Sequence, residues 1–325
     1  MSVNYFEINK PFKLESGNKL DNLTIAYHTF GTLNEQKNNV IWVFHALTAN
    51  SNVMEWWPGL FGEQDLFNPN EYFIICSNVL GSPYGSTKPT DLNFPFYTVR
   101  DVVGAQLLLA KELNIEQIYV AIGGSFGGNQ ALEFAYSFSG TIEKLILVAC
   151  AAKESAWGVA IHEAQRLALL ADPTFGQKEG GKAGLKAARA VALLTYRTSS
   201  AYIAQQTDID ERKDDFKASS YIRYQGEKLV KRFNALSFYY LIKCLDTHHI
   251  GRGRGGEVAA LKKINAQTLV IGVSTDFLIP THLSKFMAKH IPDARYKEID
   301  SDFGHDGFLV ETAKLTNEIS SFLNK

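Results

Sequence analysis

The chain has 325 residues, 46% of them hydrophobic and 21% charged, and its formal net charge at pH 7 is −1. This is an ordinary globular composition, and the near-neutral balance excludes the basic footprint selected by nucleic acid or an anionic membrane surface. No apolar run approaches the ~18 residues needed to span a membrane, so neither a nucleic-acid nor a membrane partner is expected. The opening MSVNYFEINKPFKLESG lacks the apolar stretch of a secretory signal. Cys76, Cys150 and Cys244 are odd in number, far apart and set in apolar surroundings. They suit a reducing cytoplasm and a core role rather than a disulfide frame, and no metal-ligand spacing is visible among them.

In chain order, residues 40–47 (VIWVFHAL), 72–80 (YFIICSNVL), 118–124 (IYVAIGG) and 145–152 (LILVACAA) read as short, Val- and Ile-rich strands buried on both faces. Helix-like segments at 99–113 and 128–138 lie between them, and this alternation predicts a mostly parallel α/β sheet flanked by helices. From Trp157 to about Lys263 the pattern turns helical, and strand signals are nearly absent. They return at 268–273 (TLVIGV) and 295–300 (RYKEID). A last helix is predicted to carry Phe308, Leu315, Ile319 and Phe322 on one face. The expected organisation is one α/β core, residues 1–156 and 264–325, interrupted by a helical lid at 157–263.

Ser125 lies in AIGGSFGGNQALEFA, between a predicted strand and a predicted helix. Gly123-Gly124-Ser125-Phe126-Gly127 matches G-x-S-x-G, a string too short to be specific alone, but its setting is that of a nucleophile elbow. Small neighbours there let strand and helix approach closely while the serine takes a strained backbone. The rival reading is a glycine-rich turn or a phosphate cradle. A cradle would want a Walker lysine or a Rossmann acid about 20 positions on; Glu143 could imitate the latter, but no G-x-G-x-x-G run surrounds Ser125.

An elbow serine needs a base and an orienting acid, following it in the order Ser, Asp/Glu, His. His305, after the last predicted strand, and Asp276, just past TLVIGV, would both reach the strand edge that carries Ser125. Asp300 and Asp302 are rival acids. The oxyanion donors are expected to be the backbone N–H groups of Phe126 and Leu47, the latter in HALTAN at 45–50. His45, His28, His290 and the pair in DTHH at 246–249 take structural readings.

With these residues placed, the chain resembles the homoserine O-acetyltransferase family of α/β-hydrolase-fold enzymes over nearly its whole length. The resemblance rests on HALT (45–48), WW (56–57), NVLGSPYGST (78–87), VRD (99–101) and GGSFGGNQALEFA (123–135). It continues through ESAWGVAIHEAQR (154–166), LTYRT (194–198), SYIRYQGEKLVKRFNA (220–235), RGRGG (252–256) and GHDGFL (304–309). It implies a ping-pong reaction in which Ser125 takes an acyl group from acyl-CoA and yields it to the hydroxyl of L-homoserine. Acetyl-CoA would be a co-substrate, with no cofactor and no metal. The resemblance further implies that Arg197 holds the amino acid's carboxylate, that Asp306 binds its amino group, and that copies pair through the lid as a homodimer. Read without it, Arg197 is a surface helix charge and Asp306 a helix N-terminal acid. The chain departs from the family's usual pattern with GSPYGST for GGCYGST, Phe126 for methionine, and ANSN after HALT. Related enzymes acylate serine, and some use succinyl-CoA. Serine as acceptor, succinyl as acyl group, and an esterase resolved by water therefore stay open beside the acetyl transfer.

Overall fold

The computed structural model describes residues 2–324. Strands β1 (Asn4–Ile8), β2 (Leu23–Phe30), β3 (Val40–Phe44), β4 (Phe73–Ser77), β5 (Gln117–Gly124), β6 (Thr141–Val148), β7 (Gln267–Val273) and β8 (Ala294–Ile299) form one sheet. Their order is β1-β2-β4-β3-β5-β6-β7-β8. The β1–β2 and β2–β4 pairings are antiparallel, and the rest are parallel. Strands β1 and β2 escape a sequence reading because NYFEI is mostly exposed and LTIAYHTF mixes polar with apolar residues.

The parallel strands are covered on both sides, and their side chains alternate between two cores. Trp42, Phe44, Ala121, Leu145, Leu147 and Val270 face one. Ile41, Val43, Val120, Ile122, Ile146 and Ile271 face the other. Helices α1 (Val99–Glu112) and α2 (Phe126–Ser137) cover the first face. Thr98 opens α1 with a full capping box, its side chain accepting from Asp101 N–H while Asp101 accepts from Thr98 N–H.

The lid supplies α3 (Ala156–Leu170), α4 (Lys182–Tyr196), α5 (Ser199–Gln206), α6 (Lys217–Val230) and α7 (Ala235–Leu245), with α4 packed between α3 and α6. Its buried residues Leu169, Leu185, Leu229, Phe238 and Leu241 belong to the same hydrophobic cluster as the first sheet face. The lid is thus rooted in the core it covers. Residues 247–263, expected with the lid, are bound to the core instead, while Asp246 stays with the lid through His162 and Arg166. Arg254 donates to the buried carboxylate of Glu133 on α2 at 2.8 Å and lies 3.8 Å over the Tyr136 ring. Arg252 pairs with Glu15 at 2.6 Å. RGRGG is therefore a structured loop, and its arginines are spent on internal carboxylates.

Helix α8 (Thr281–His290) follows β7, and α9 (Thr312–Leu323) closes the chain. The predicted last helix is broken. Phe308 sits in a separate turn, Gly307–Val310, because Glu311 takes φ −88° and ψ 43° between the two. Phe308 still joins Leu315, Ile319 and Phe322 in the second core, so the apolar face survives the break.

Strand β5 meets α2 with almost no room. A Cβ on Gly123 would fall 2.2 Å from the Gly127 carbonyl oxygen, and one on Gly127 would fall 2.0 Å from the Phe44 carbonyl oxygen. Both obstacles are backbone and cannot rotate away. We expect Gly127→Ala to lower stability by about 3 kcal/mol through forced separation of α2 from β3. Chemical denaturation measures this, and a variant as stable as the parent would contradict it.

Candidate active site

Between β5 and α2 the chain must turn sharply, and Ser125 absorbs the turn with φ 56° and ψ −125°. Its N–H donates to Val148 O at 2.9 Å, which ties the turn to the end of β6. Asp276 follows β7, and His305 lies in the short turn Gly304–Asp306 after β8. All three sit at the carboxyl edge of the parallel strands, where side chains from separate βα loops converge.

His305 Nδ1 lies 2.6 Å from Asp276 Oδ2, and His305 Nε2 lies 2.7 Å from Ser125 Oγ. A carboxylate only accepts, so Nδ1 carries the proton and Nε2 accepts from the serine hydroxyl. The second Asp276 oxygen accepts from Ile279 N–H at 2.8 Å. Burial pushes His305 toward the neutral form, but the carboxylate of Asp276, with lesser help from Asp306 and Glu154, outweighs it and raises the imidazole above its ordinary 6.5. The rival acids are elsewhere: Asp300 accepts from Ser274, and Asp302 offers a backbone carbonyl to Thr198.

Aromatic contacts fix the imidazole plane. Phe308 meets it edge-on at 5.3 Å and Tyr196 at 5.8 Å. Trp57 backs Phe308, with its indole N–H donating to Phe308 O at 3.0 Å. One of the paired tryptophans therefore serves the site from behind.

The expected oxyanion donors have suitable settings. Phe126 is the first residue of α2, where an N–H has no partner within its own helix. Leu47 lines the cavity that opens on Ser125. Its loop is held by His45, whose Nδ1 donates to Ala46 O at 2.8 Å and whose Nε2 accepts from Val79 N–H at 3.1 Å. Burial drives the His45 pKa to about 4, so this ring is neutral and structural. Gln130 of α2 adds a bond to His45 O at 3.1 Å. Three further histidines have structural partners: His28 bonds Ser51, His248 bonds Ala151 O, and His290 packs on Phe286.

Arg197, at the end of α4, donates through Nε to Asp306 Oδ2 at 2.9 Å. The two residues singled out for an amino acid are thus brought together, lid against core, one residue from His305. The guanidinium also lies 5.6 Å from the Tyr221 ring, which helps to hold its plane.

The cavity in front of Ser125 measures about 510 Å³ and is lined by His305, Asp306, Leu47, Thr48, Tyr84 and lid residues of α4 and α6. Ala49 and Asn50, where the chain departs from its family's usual sequence, are in its wall, as is Tyr84, which follows the departing pair Ser82 and Pro83. Behind Ser125 is a separate chamber of about 20 Å³, room for little more than one water-sized group. Phe126, Leu278 and Ile279 make its apolar side, and Glu154 and His162 its polar side. Burial raises the Glu154 carboxyl.

Sequence reasoning missed Tyr196, Glu154, His162 and the lid cations of the cavity. All but Arg189 lie inside a stretch that carries the family resemblance, which was the available signal.

A family model for the alpha/beta hydrolase fold matches residues 39–312. Fold and site together define an α/β-hydrolase-fold enzyme built around a serine, a histidine and an aspartate. Homoserine O-acetyltransferase of Cyclobacterium marinum is 45% identical, over 99% of this chain and 95% of the relative. The crystal structure of homoserine O-acetyltransferase from Staphylococcus aureus superposes with a TM-score of 0.86 at 30% identity, covering 100% of this chain and 95% of that one. Esterase E22 shares the fold, with a TM-score of 0.89 at 22% identity over 99% of both chains. The chain belongs to the homoserine O-acetyltransferase family.

Two outcomes follow from the hydrogen-bonded chain. Asp276→Asn, which leaves the shape but lets Nδ1 lose its fixed proton, should lower kcat roughly a thousandfold or more. Steady-state assays check this, and a loss below tenfold would remove Asp276 from its role. His305 must be neutral to accept the serine proton, and its pKa lies above 6.5. The acid limb of kcat/KM should therefore fall above pH 6.5, leaving less than half the plateau value at that pH. A plateau that extends below pH 6 would contradict the raised imidazole.

Proposed function

We propose that the protein transfers an acetyl group from acetyl-CoA to the side-chain hydroxyl of L-homoserine through an acyl-enzyme on Ser125. The observation that carries this reading is the Arg197–Asp306 pair standing beside a hydrogen-bonded Ser125–His305–Asp276 chain.

Ser125 Oγ attacks the thioester carbonyl while His305 Nε2 takes the hydroxyl proton. The N–H groups of Phe126 and Leu47 hold the negative oxygen of the tetrahedral adduct. The C–S bond breaks, and His305 returns the proton to the departing CoA sulfur. The acceptor's hydroxyl then occupies that place, gives its proton to His305 and attacks the acyl carbon. Breaking the acyl–Oγ bond releases the ester, and the proton goes back to Ser125. Chain residues supply every proton transfer, so acetyl-CoA is a co-substrate and no cofactor or metal takes part.

The acceptor is a zwitterion, and the ion pair suits it. Arg197 spends only Nε on Asp306, leaving its terminal nitrogens to grip a carboxylate. Asp306 has lone pairs left for an ammonium group. A hydrolase resolved by water has no use for such a clamp. The chamber behind Ser125, about 20 Å³, suits the methyl of an acetyl group better than the carboxyethyl of a succinyl group.

The same reading has two copies pairing through the lid, where Leu167, Leu170, Leu194 and Ile203 are more than half exposed. Among the described residues no helix is long and apolar enough to cross a membrane. The three unpaired, buried cysteines suit the reducing cytoplasm.

Following thiol release from acetyl-CoA tests the function. Release should depend on L-homoserine, and L-serine or succinyl-CoA should give lower kcat/KM. Arg197→Ala should raise the acceptor KM by about two orders of magnitude with little change in the donor KM. Acceptor-independent release would establish an esterase instead, and an unchanged acceptor KM would remove Arg197 from the clamp.

A further inference from the structure

The lid carries six arginines between residues 157 and 245. Four are ion-paired: Arg166 with Glu163 and Asp246, Arg197 with Asp306, Arg212 with Asp208 and Asp210, and Arg223 with Asp215. The other two, Arg189 and Arg232, have no carboxylate partner among the described residues, and both line the cavity in front of Ser125. Lys228, one turn before Arg232 and likewise unpaired, lines it as well. The cavity wall holds two acids. Asp306 is already matched by Arg197, so three cations face one free carboxylate, Glu55. In a chain of net charge −1, this excess is a local feature.

These cations are placed and partly fixed. Arg232 donates to Tyr84 Oη at 2.8 Å and to the backbone oxygen of Thr48, next to the oxyanion loop. Arg189 lies 5.6 Å from the Tyr196 ring. Lys228 and Arg232 are exposed and form the outer pair, whereas Arg189, against Tyr196, and Arg197, beside the imidazole, are partly buried deeper in the same wall. A small amino acid that must reach acyl-Ser125 is served by Arg197. Outer cations suit a long ligand whose reactive end is at Ser125 and whose anionic end stays at the mouth.

We propose that Arg189, Lys228 and Arg232 bind the phosphate groups of the acyl donor's nucleotide, so that the donor threads between lid and core with its thioester inward. This rests on the reading of the donor as an acyl-CoA. Guanidinium and ammonium donors recognise phosphate oxygens through charge-assisted bonds, and the positive excess at the mouth also steers an anionic donor toward it. The site determines which thioesters the enzyme accepts; the chemistry at Ser125 is common to all of them.

The test compares acetyl-CoA with S-acetylpantetheine, which has the same thioester and arm but no nucleotide phosphates. Lys228→Glu is the first variant, because Arg232 also anchors Thr48, and Arg189→Gln is the second. Each should raise the KM for acetyl-CoA about tenfold, while the KM for S-acetylpantetheine and for L-homoserine change less than about twofold. An unchanged acetyl-CoA KM in both variants, or an equal rise for the phosphate-free donor, would overturn the proposal. A rise confined to L-homoserine would assign the cations to the acceptor and overturn it too. Calorimetric binding of CoA to the Ser125→Ala protein separates this proposal from the functional reading. If the parent enzyme releases no thiol from acetyl-CoA, the functional reading fails. CoA affinity lost in Lys228→Glu would still support the phosphate site, and equal affinity with and without that change would sink it.

Discussion

The backbone contact between strand and helix at Gly123 and Gly127 is the constraint on which the site depends. With no side chain on either residue, α2 packs directly against the ends of β3 and β5, and Ser125 must bridge them at φ 56°. A non-glycine residue held there costs on the order of 1–3 kcal/mol, which the surrounding packing must offset. Here it is offset by two buried sheet faces and by the bond from Ser125 N–H to Val148 O. The strained turn lifts Oγ out of the core toward His305 and leaves the N–H of Phe126 unpaired at the start of α2.

His305 depends on more of the molecule than Ser125 does. Its proton position is fixed by Asp276 from the loop after β7, and its plane by Phe308 and Tyr196. Tyr196 comes from the lid, and Trp57, from the second sheet face, stands behind Phe308. Displacing the lid would therefore disturb the imidazole as well as the cavity roof. The lid's apolar residues continue the core of the sheet, so the same burial holds the lid in place.

An esterase and an acyltransferase share this fold and this serine chemistry, so the backbone does not distinguish them. The difference between them lies in whether a second alcohol is held against the acyl-enzyme more effectively than water. In this chain the charges suited to that task are divided between lid and core: Arg197 ends a lid helix, and Asp306 follows the histidine. Only with the lid seated do they form one unit. The lid thus supplies the cation of that pair and the unpaired cations of the cavity wall.

The amino-acid sequence by itself determined the alternating α/β core, the nucleophile turn and the order Ser125, Asp276, His305. These are local signals: runs of Val and Ile buried on both faces, glycines around one serine, and polar residues just past a strand. It did not reveal β1, which is mostly exposed, or β2, which mixes polar with apolar residues, nor the break at Glu311, where one residue's dihedrals interrupt an otherwise continuous apolar face. It placed residues 247–263 with the lid because nothing local shows that Arg254 meets Glu133, 121 positions away. Arg197 and Asp306 read alone as a surface charge and a helix-end acid. Only the tertiary structure made them an ion pair beside the imidazole, and it sets Asp276 rather than the rival Asp300 against His305. Pattern and spacing report which face of an element is buried, whereas a site joined from distant loops is decided by how the layers pack.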